Sequence, residues 1–278
     1  MNAGWKGENA MDCGASTSCF YPMDTLEAIG TLQDAGVKTA EVFLNTFSEL
    51  EDDFVARMGE QLARSDMKVY SLHPFSSILE TFFFASMYDM RVQDGLVLYR
   101  RIFALCRRLS IPLMVFHGDH LQTPFPFARH CANFARVRDL GREYGVELCQ
   151  ENVSRCKCGR ADYILRMRDV LHDDVSFVLD VKQMRRANET PAAMLQAMEG
   201  HIRHLHLSDA TPLCDCAVPG TGTFDFEALF RALRRQQYAG EAVVELYRGD
   251  FGGVQDLCSG AAAVNEAWQR TGEPQQAG

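Results

Sequence analysis

Two kinds of sequence feature are missing from this chain of 278 residues. No run of apolar residues approaches the roughly 18 that a membrane-spanning helix needs. No basic segment is longer than the pairs Arg107–Arg108 and Arg185–Arg186, and the net charge is −9. Proteins that grip DNA or RNA usually carry a basic stripe. The sequence therefore argues against a membrane protein and against a nucleic-acid partner.

The first residues, MNAGWKGENAMDCGAS, do not contain the basic segment and the apolar segment of a secretory signal peptide. We therefore expect a cytoplasmic protein. Ten cysteines are spread along the chain, and in a reducing compartment they are expected to be free thiols. The pairs Cys156–Cys158 and Cys214–Cys216 have one intervening residue, whereas structural zinc sites usually have two. No zinc site is predicted there.

Short apolar runs alternate with amphipathic stretches along the whole chain. The predicted strands are Met11–Gly14, Thr39–Leu44, Lys68–His73, Leu113–His117, Val146–Glu151, Ser176–Asp180, Ile202–Leu207 and Ala242–Leu246. The predicted helices are Thr25–Ala35, Phe54–Leu62, Leu96–Leu109, Phe127–Arg142, Ala161–Leu171, Ala192–Met198, Phe226–Leu233 and Ala261–Trp268. Eight strands, each followed by a helix, predict a (β/α)8 barrel, also called a TIM barrel. We expect one domain over residues 1–278, with its core at about 10–270.

Four of the predicted strands end in an ionisable side chain. Glu151 closes VELCQE, Asp180 closes VSFVLD, His206 lies at the end of IRHLH, and Glu245 closes EAVVE. The carboxyl ends of all strands in such a barrel open onto one face, so we expect these side chains to converge. Three carboxylates placed together repel one another unless a cation offsets their charge. The set predicts one divalent metal ion, Mn²⁺ first, with Mg²⁺, Co²⁺ or Zn²⁺ as alternatives.

Glu151 and Glu245 are also the candidate catalytic residues. Two carboxylates that flank a substrate can divide the roles of acid and base when their surroundings separate their pKa values. A metal ion that they share would polarise a substrate carbonyl. The combination suits proton abstraction next to a carbonyl group, as in sugar isomerisation and epimerisation. The alternative interpretation is that both glutamates are metal ligands without a part in proton transfer.

Other polar residues are predicted to contact the substrate. His73 and His117 end the third and fourth strands, where they bind sugar hydroxyls, hold a second metal ion, or only pack. Lys182 follows Asp180 by two residues and on a strand would point to the same side. It then lies near the metal or a substrate oxyanion, and the alternative is a lysine on the barrel rim. Gln183 is expected to select a substrate hydroxyl.

Several further polar residues are given supporting roles. His204 shares a strand face with His206 and is predicted to lie in the barrel interior. Asn152 is expected to support a loop, and Asp209 either orients a histidine or caps the next segment. The long segments 74–88 and 208–226 follow strands and are expected to be loops with substrate contacts or a lid.

Seven motifs follow one another in a fixed order: SLHPF, FHGDH, CQENV, LDVKQ, HLHLSD, VPGTG and VVELY. With these motifs residues 16–251 resemble the xylose isomerase-like TIM barrels, also called the sugar phosphate isomerase/epimerase or AP-endonuclease family 2 group. In the ketose 3-epimerases of this group, four strand-end residues hold one Mn²⁺-like ion, and two glutamates exchange the substrate proton. The resemblance implies these roles for Glu151, Asp180, His206 and Glu245.

The chain also departs from the pattern of that family. Many relatives have a histidine three residues after the strand-six aspartate, where this chain has Gln183, a poor metal ligand that carries no proton. AP endonucleases use three zinc ions, and His73 and His117 match two of their histidine ligands. However, the chain has no Asp-Xaa-His after His206, so a three-zinc cluster is not expected.

The function that these observations favour is a metal-dependent isomerase or epimerase of a sugar or sugar derivative. A lyase or dehydratase, including one that cleaves C-glycosides, would use the same metal site and the same acid–base pair. A hydrolase like the AP endonucleases would need three ions, and a non-catalytic sugar-binding barrel would need none. Because one fold supports all of these, the fold alone does not fix the reaction. The oligomeric state stays open, with a homo-oligomer as one option.

Overall fold

The computed structural model describes residues 11–272, and its centre is a closed barrel of eight parallel strands. Each strand pairs with the next in chain order, and the last pairs with the first. The strands are β1 (Cys13–Ser16), β2 (Thr39–Phe43), β3 (Lys68–His73), β4 (Leu113–Phe116), β5 (Glu147–Glu151), β6 (Ser176–Asp180), β7 (Ile202–Leu207) and β8 (Glu241–Val244). The predicted (β/α)8 barrel is confirmed. The prediction of one domain over residues 1–278 reaches beyond the described residues at both ends and stays a prediction.

α-Helices surround the barrel, and residues 11–272 contain ten of them, two more than predicted. They are α1 (Thr25–Asp34), α2 (Asp52–Leu62), α3 (Ser77–Phe84), α4 (Asp89–Arg108), α5 (Phe127–Glu143), α6 (Ala161–Val170), α7 (Val181–Arg186), α8 (Pro191–Ala197), α9 (Phe226–Arg235) and α10 (Val254–Arg270). Within the described part of the chain, no helix is long and apolar enough to cross a membrane. All ten cysteines are unpaired, as expected.

The two additional helices correct two predictions. Helix α3 lies in the segment that we expected to be a loop after β3. Helix α7 begins directly after β6, so Lys182 lies on a helix and not on a strand. The side chain of Asp180 accepts a hydrogen bond from the backbone N–H of Gln183 at 2.7 Å. This N-cap bond satisfies a donor that the first turn would leave free, and it lets the chain pass from strand to helix without a loop.

The alternation of side chains along the strands decides which residues point into the barrel. A small buried apolar cluster is formed by Leu113, Val115, Cys149 and Val178. Residues two positions apart on a strand point the same way. The next inward positions, directly after β4 and at the ends of β5 and β6, are therefore taken by polar side chains, namely His117, Glu151 and Asp180. The apolar cluster therefore lies deeper in the barrel, and the polar side chains form the next layer at the carboxyl ends of the strands.

We expect Gly14 on β1 to be intolerant of a side chain. A Cβ atom at this position would lie 1.5 Å from the carbonyl oxygen of Thr39 on β2. The substitution Gly14→Ala must push these paired strands apart, and it should lower the free energy of unfolding by about 1–3 kcal/mol or more. Denaturant unfolding measures the change.

The control for this experiment is Gly249→Ala. A Cβ at Gly249 would have no neighbouring atom within 4 Å, so this variant should unfold like the parent. Equal stability of the Gly14→Ala variant and the parent would show that the two strands are not in this close register.

Candidate metal centre

Four side chains from four consecutive strands meet at the mouth of the barrel. Glu151, Asp180 and His206 come from β5, β6 and β7, and Glu245 directly follows β8. Each residue offers one ligand atom, and these atoms all lie within 4.8 Å of one another. The N–H of Glu245 donates to the carbonyl of Leu207 at 3.1 Å, which extends the pairing of β8 with β7 by one residue. The structure thus places the four predicted metal ligands in one group.

The imidazole of His206 lies between the three carboxylates. Its Nδ1 atom is 3.4 Å from Oε1 of Glu151, 3.6 Å from Oε2 of Glu245 and 3.9 Å from Oδ2 of Asp180. Among the described residues, neither this Nδ1 nor Oδ2 of Asp180 has a hydrogen-bond partner, although both are buried. Buried polar atoms nearly always have such a partner. Two atoms without one, directed into the same group of oxygens, fit coordination of a divalent cation.

Charges within the group shift the pKa values of its members. Burial raises the pKa of Asp180 to about 7, and the nearby Glu151 and Glu245 act in the same direction. Burial would lower the pKa of His206, but Glu41 and Glu245 overcome it and raise this pKa well above its ordinary value. Protons therefore compete with a cation for Asp180 and His206 near neutral pH. Because a metal ligand must be deprotonated, metal affinity should fall as the pH falls.

His73 and His117 form a second group of donor atoms with Glu151. The Nε2 atoms of the two histidines are 2.8 Å apart, and Oε2 of Glu151 lies 2.8 Å from Nε2 of His117 and 3.8 Å from Nε2 of His73. Nδ1 of His73 donates to the carbonyl of Pro74 at 3.1 Å, which directs Nε2 toward the glutamate. This geometry suits a second ion or a substrate oxygen, so both interpretations of the two histidines stand.

Lys182 reaches the four-ligand group from the first turn of α7. Its Nζ lies 3.0 Å from Oε2 of Glu245 and 3.6 Å from Oδ2 of Asp180, and the side chain is 3% exposed. The ring of Tyr247 lies 4.7 Å from the same Nζ. Burial opposes charge on Lys182, but Asp180 and Glu245 raise its pKa well above the ordinary value. The predicted proximity to the metal ligands is therefore present, although the strand argument for it was wrong.

Gln183 lies beside the group, and its side chain has a structural partner. Its Oε1 accepts hydrogen bonds from the backbone N–H and the hydroxyl of Ser154, at 3.1 and 2.7 Å. The carbonyl end of the amide thus holds the loop after β5. Contact of Gln183 with a substrate hydroxyl stays a prediction.

The three supporting predictions, for Asn152, Asp209 and His204, can be compared directly with the structure. Asn152 accepts from the backbone N–H of Asp180 at 2.7 Å and donates to its carbonyl at 3.0 Å, so it holds the end of β6. The carboxylate of Asp209 accepts from four backbone N–H groups of the following segment, those of Ala210, Gly220, Gly222 and Phe224. Asp209 therefore organises this loop. His204 lies fully buried inside the barrel, as predicted.

The sequence analysis missed two buried glutamates next to the site. Glu41 lies on β2 with its Oε2 3.0 Å from Nε2 of His206. Glu80 lies on α3 and accepts hydrogen bonds from the backbone N–H groups of His117 and Gly118, both at 2.8 Å. Each is the one charged residue of an otherwise uncharged segment, TAEVF and SILETFFF. A charge in such a segment is seldom buried without a partner, and this signal was available in the sequence.

Comparisons with known proteins agree with this architecture. A family model described as xylose isomerase-like TIM barrel matches residues 29–269. No curated protein is significantly similar to the chain in sequence. Among solved structures, a D-tagatose 3-epimerase-like protein has 15% identity and a TM-score of 0.77, covering 94% of this chain and 98% of that one.

Two other solved structures are similar to a comparable degree. The 3-keto-D-glucoside 4-epimerase of E. coli has 18% identity and a TM-score of 0.70, with 94% of this chain and 100% of that chain covered. The IolI protein, solved with a zinc atom, has 17% identity and a TM-score of 0.71, with 94% and 96% covered. At these identities the similarity shows the fold.

The substitution Asp180→Ala should abolish binding of a divalent ion. It removes one of the four candidate ligands, whose buried Oδ2 atom has no hydrogen-bond partner among the described residues. Elemental analysis and Mn²⁺ titration measure the loss, and circular dichroism should show that the barrel remains. Glu49→Ala is the control, since this buried carboxylate accepts hydrogen bonds from Thr25 and Asn45 and is not one of the grouped donors; this variant should keep the ion. Stoichiometric metal in Asp180→Ala would show that the site is elsewhere.

The substitution Lys182→Met should strengthen metal binding while it destabilises the metal-free protein. The ammonium offsets carboxylate charge, so its removal makes the site more negative. At an effective dielectric of about 20, repulsion between the Lys182 ammonium and an ion a few ångströms away amounts to more than about 1 kcal/mol. Removal of this repulsion should raise the affinity for Mn²⁺ about tenfold or more. Calorimetric titration measures affinity, and melting in chelator measures stability. Lys38→Met, which removes an exposed partner of Asp66, should change neither. Unchanged affinity in Lys182→Met would contradict this electrostatic role.

Proposed function

The chain belongs to the xylose isomerase-like TIM barrel family, and on this basis we propose that it is a metal-dependent isomerase or epimerase of a sugar or sugar derivative. The observation that carries the proposal is the group formed by Glu151, Asp180, His206 and Glu245, in which Nδ1 of His206 and Oδ2 of Asp180 are buried without a hydrogen-bond partner among the described residues. A D-tagatose 3-epimerase-like protein and a 3-keto-D-glucoside 4-epimerase share the fold of this chain, which supports a small carbohydrate as its substrate.

Glu151 and Glu245 are the groups that would exchange the substrate proton. Glu151 is the last residue of β5 and Glu245 directly follows β8, three strands further around the ring, so they would face a molecule at the mouth from different sides. Burial opposes ionisation of both, but His117 lowers the pKa of Glu151, and Lys182 lowers that of Glu245. Both are therefore carboxylates at neutral pH, and either is able to accept a proton from carbon.

A bound divalent cation would polarise a substrate carbonyl or hydroxyl and so acidify the neighbouring C–H bond. Mn²⁺ is the ion that we propose, because three carboxylates and one imidazole make an oxygen-rich site with a single nitrogen. Lys182 would neutralise part of the negative charge, and His73, His117 and Gln183 would contact substrate hydroxyls. Specificity among sugars would then depend on these contacts.

A second candidate function is favoured by the donor group of His73, His117 and Glu151. An AP-endonuclease-like hydrolase would need three ions, and this group offers a place for one ion beyond the first. The chain has a net charge of −9, which works against binding a polyanion such as DNA. Three metal ions per chain, together with incision of DNA at an abasic site, would replace the isomerase proposal with a repair enzyme.

The proposed proton transfer is tested with Glu151→Gln and Glu245→Gln. The amide keeps the shape of the side chain and one oxygen for the ion, but it cannot take up a proton. Turnover should fall about 10²–10⁴-fold for each variant, with a much smaller change in substrate binding. The measurement is exchange of solvent deuterium into a panel of ketoses and aldoses at saturating Mn²⁺.

The matched control for this test is Glu49→Gln. Glu49 is a buried glutamate that accepts hydrogen bonds from Thr25 and from the backbone of Asn45, with no partner at the barrel mouth. The Glu49→Gln variant should exchange solvent deuterium into the substrate at the same rate as the parent protein. Normal exchange in both test variants would remove the two glutamates from the mechanism. Loss of a substituent from the substrate during exchange would identify a lyase or dehydratase instead.

A further inference from the structure

Glu41 is a buried carboxylate that the proposed reaction does not use. It lies on β2, is fully buried, and follows a shift of register between β2 and β3 at Ala40 and Glu41. Its Oε1 accepts from the hydroxyl of Ser16 at 3.1 Å, and its Oε2 accepts from the hydroxyl of Ser71 at 2.8 Å. An irregularity of this kind next to a functional site often re-aims one side chain. Here it accompanies a carboxylate held between the hydroxyls of two neighbouring strands.

The partner of Glu41 within the metal centre is His206. Nε2 of His206 lies 3.0 Å from Oε2 of Glu41, on the side of the ring away from the other ligands. Nδ1, on the opposite side, faces Glu151, Glu245 and Asp180. The ring is fully buried, so water does not compete for either nitrogen.

The hydrogen-bond chemistry of these two groups determines which nitrogen can bind a metal ion. A neutral imidazole has one N–H donor and one lone pair, whereas an ionised carboxylate only accepts. A hydrogen bond between Nε2 and Glu41 therefore requires the proton on Nε2 and leaves the lone pair on Nδ1. Metal-bound histidines commonly donate their other N–H to a carboxylate, which fixes tautomer and orientation.

We propose that Glu41 is a positioning residue that holds His206 in the tautomer whose Nδ1 binds the metal ion. The inference rests on the metal centre of the proposed function. It gives a buried charge of β2 a role in a site whose ligands come from the later strands β5 to β8.

The same residues also allow a different interpretation, because Glu41, His204 and His206 each offer a ligand atom within 4.8 Å of the others. An ion at that position would have to displace existing hydrogen bonds. Nδ1 of His204 donates to the carbonyl of Glu241 at 2.9 Å, and its Nε2 lies 3.0 Å from Oγ of Ser71. Both oxygens of Glu41 also already accept from hydroxyls. Positioning of His206 therefore agrees better with the contacts than coordination does.

The test is a double-mutant cycle on the affinity for Mn²⁺, measured by calorimetry at alkaline pH, where protons do not compete. Glu41→Gln should weaken binding about 10- to 100-fold, the range found when such supporting partners are removed. In a His206→Ala background the same substitution should cost clearly less affinity, because only the direct effect of the Glu41 charge on the ion remains there; the difference between the two losses measures the part that acts through the imidazole. An equal loss in both backgrounds would show that Glu41 acts only through its charge, and this would overturn the proposal.

A spectroscopic measurement makes the tautomer itself visible. In the ¹⁵N spectrum of the protein loaded with diamagnetic Zn²⁺, His206 should carry its proton on Nε2, with a resonance that Glu41→Gln shifts and the control Glu49→Gln leaves in place. A proton on Nδ1 in the parent protein would contradict the proposal. A second bound ion that disappears in Glu41→Gln would show that Glu41 is a ligand. If the parent protein binds no ion, both the proposed metal centre and the proposed role of Glu41 are wrong. If the parent protein binds an ion and Glu41→Gln leaves the affinity unchanged, only the proposed role of Glu41 is wrong.

Discussion

Electrostatic repulsion among buried carboxylates is the constraint that the rest of the barrel mouth has to satisfy. Glu41, Glu151, Asp180 and Glu245 all lie around the single imidazole of His206. Burying a charge costs several kcal/mol unless it is paired and hydrogen-bonded. The surroundings supply the compensation, with the buried ammonium of Lys182 on one side and the imidazoles of His73 and His117 on the other. The divalent cation that we propose would complete this balance.

Further residues, which are not candidate ligands themselves, hold the side chains and backbone of the site in place. Asn152 holds the backbone of Asp180, Glu80 on α3 holds the backbone of His117, and Tyr247 packs on Lys182. Ligand geometry in metal sites depends strongly on such contacts. The short helices α3 and α7 therefore contribute to the site as much as the strands do.

The sequence predicted the barrel and the grouping of the four strand-end side chains because both depend on local patterns. An apolar run followed by an ionisable residue identifies a strand end, and the topology of a barrel then brings such ends together. The contacts of Glu41 and Glu80 could not be predicted in this way, because they join residues that are far apart in the chain. Lys182 shows a different limit: its strand assignment was wrong, yet the first turn of a helix carried it to the same carboxylates.

The order of the ligands along the chain ties the metal centre to closure of the ring. Glu245 follows β8, the strand that must pair with both β7 and β1 before the barrel is complete. A chain folded only as far as β7 has three of the four ligands and an open edge. A metal ion that binds only the closed barrel stabilises the closed barrel by mass action. The ion would therefore connect the end of β8 to β5, β6 and β7, and its dissociation would favour release of this last strand from the barrel.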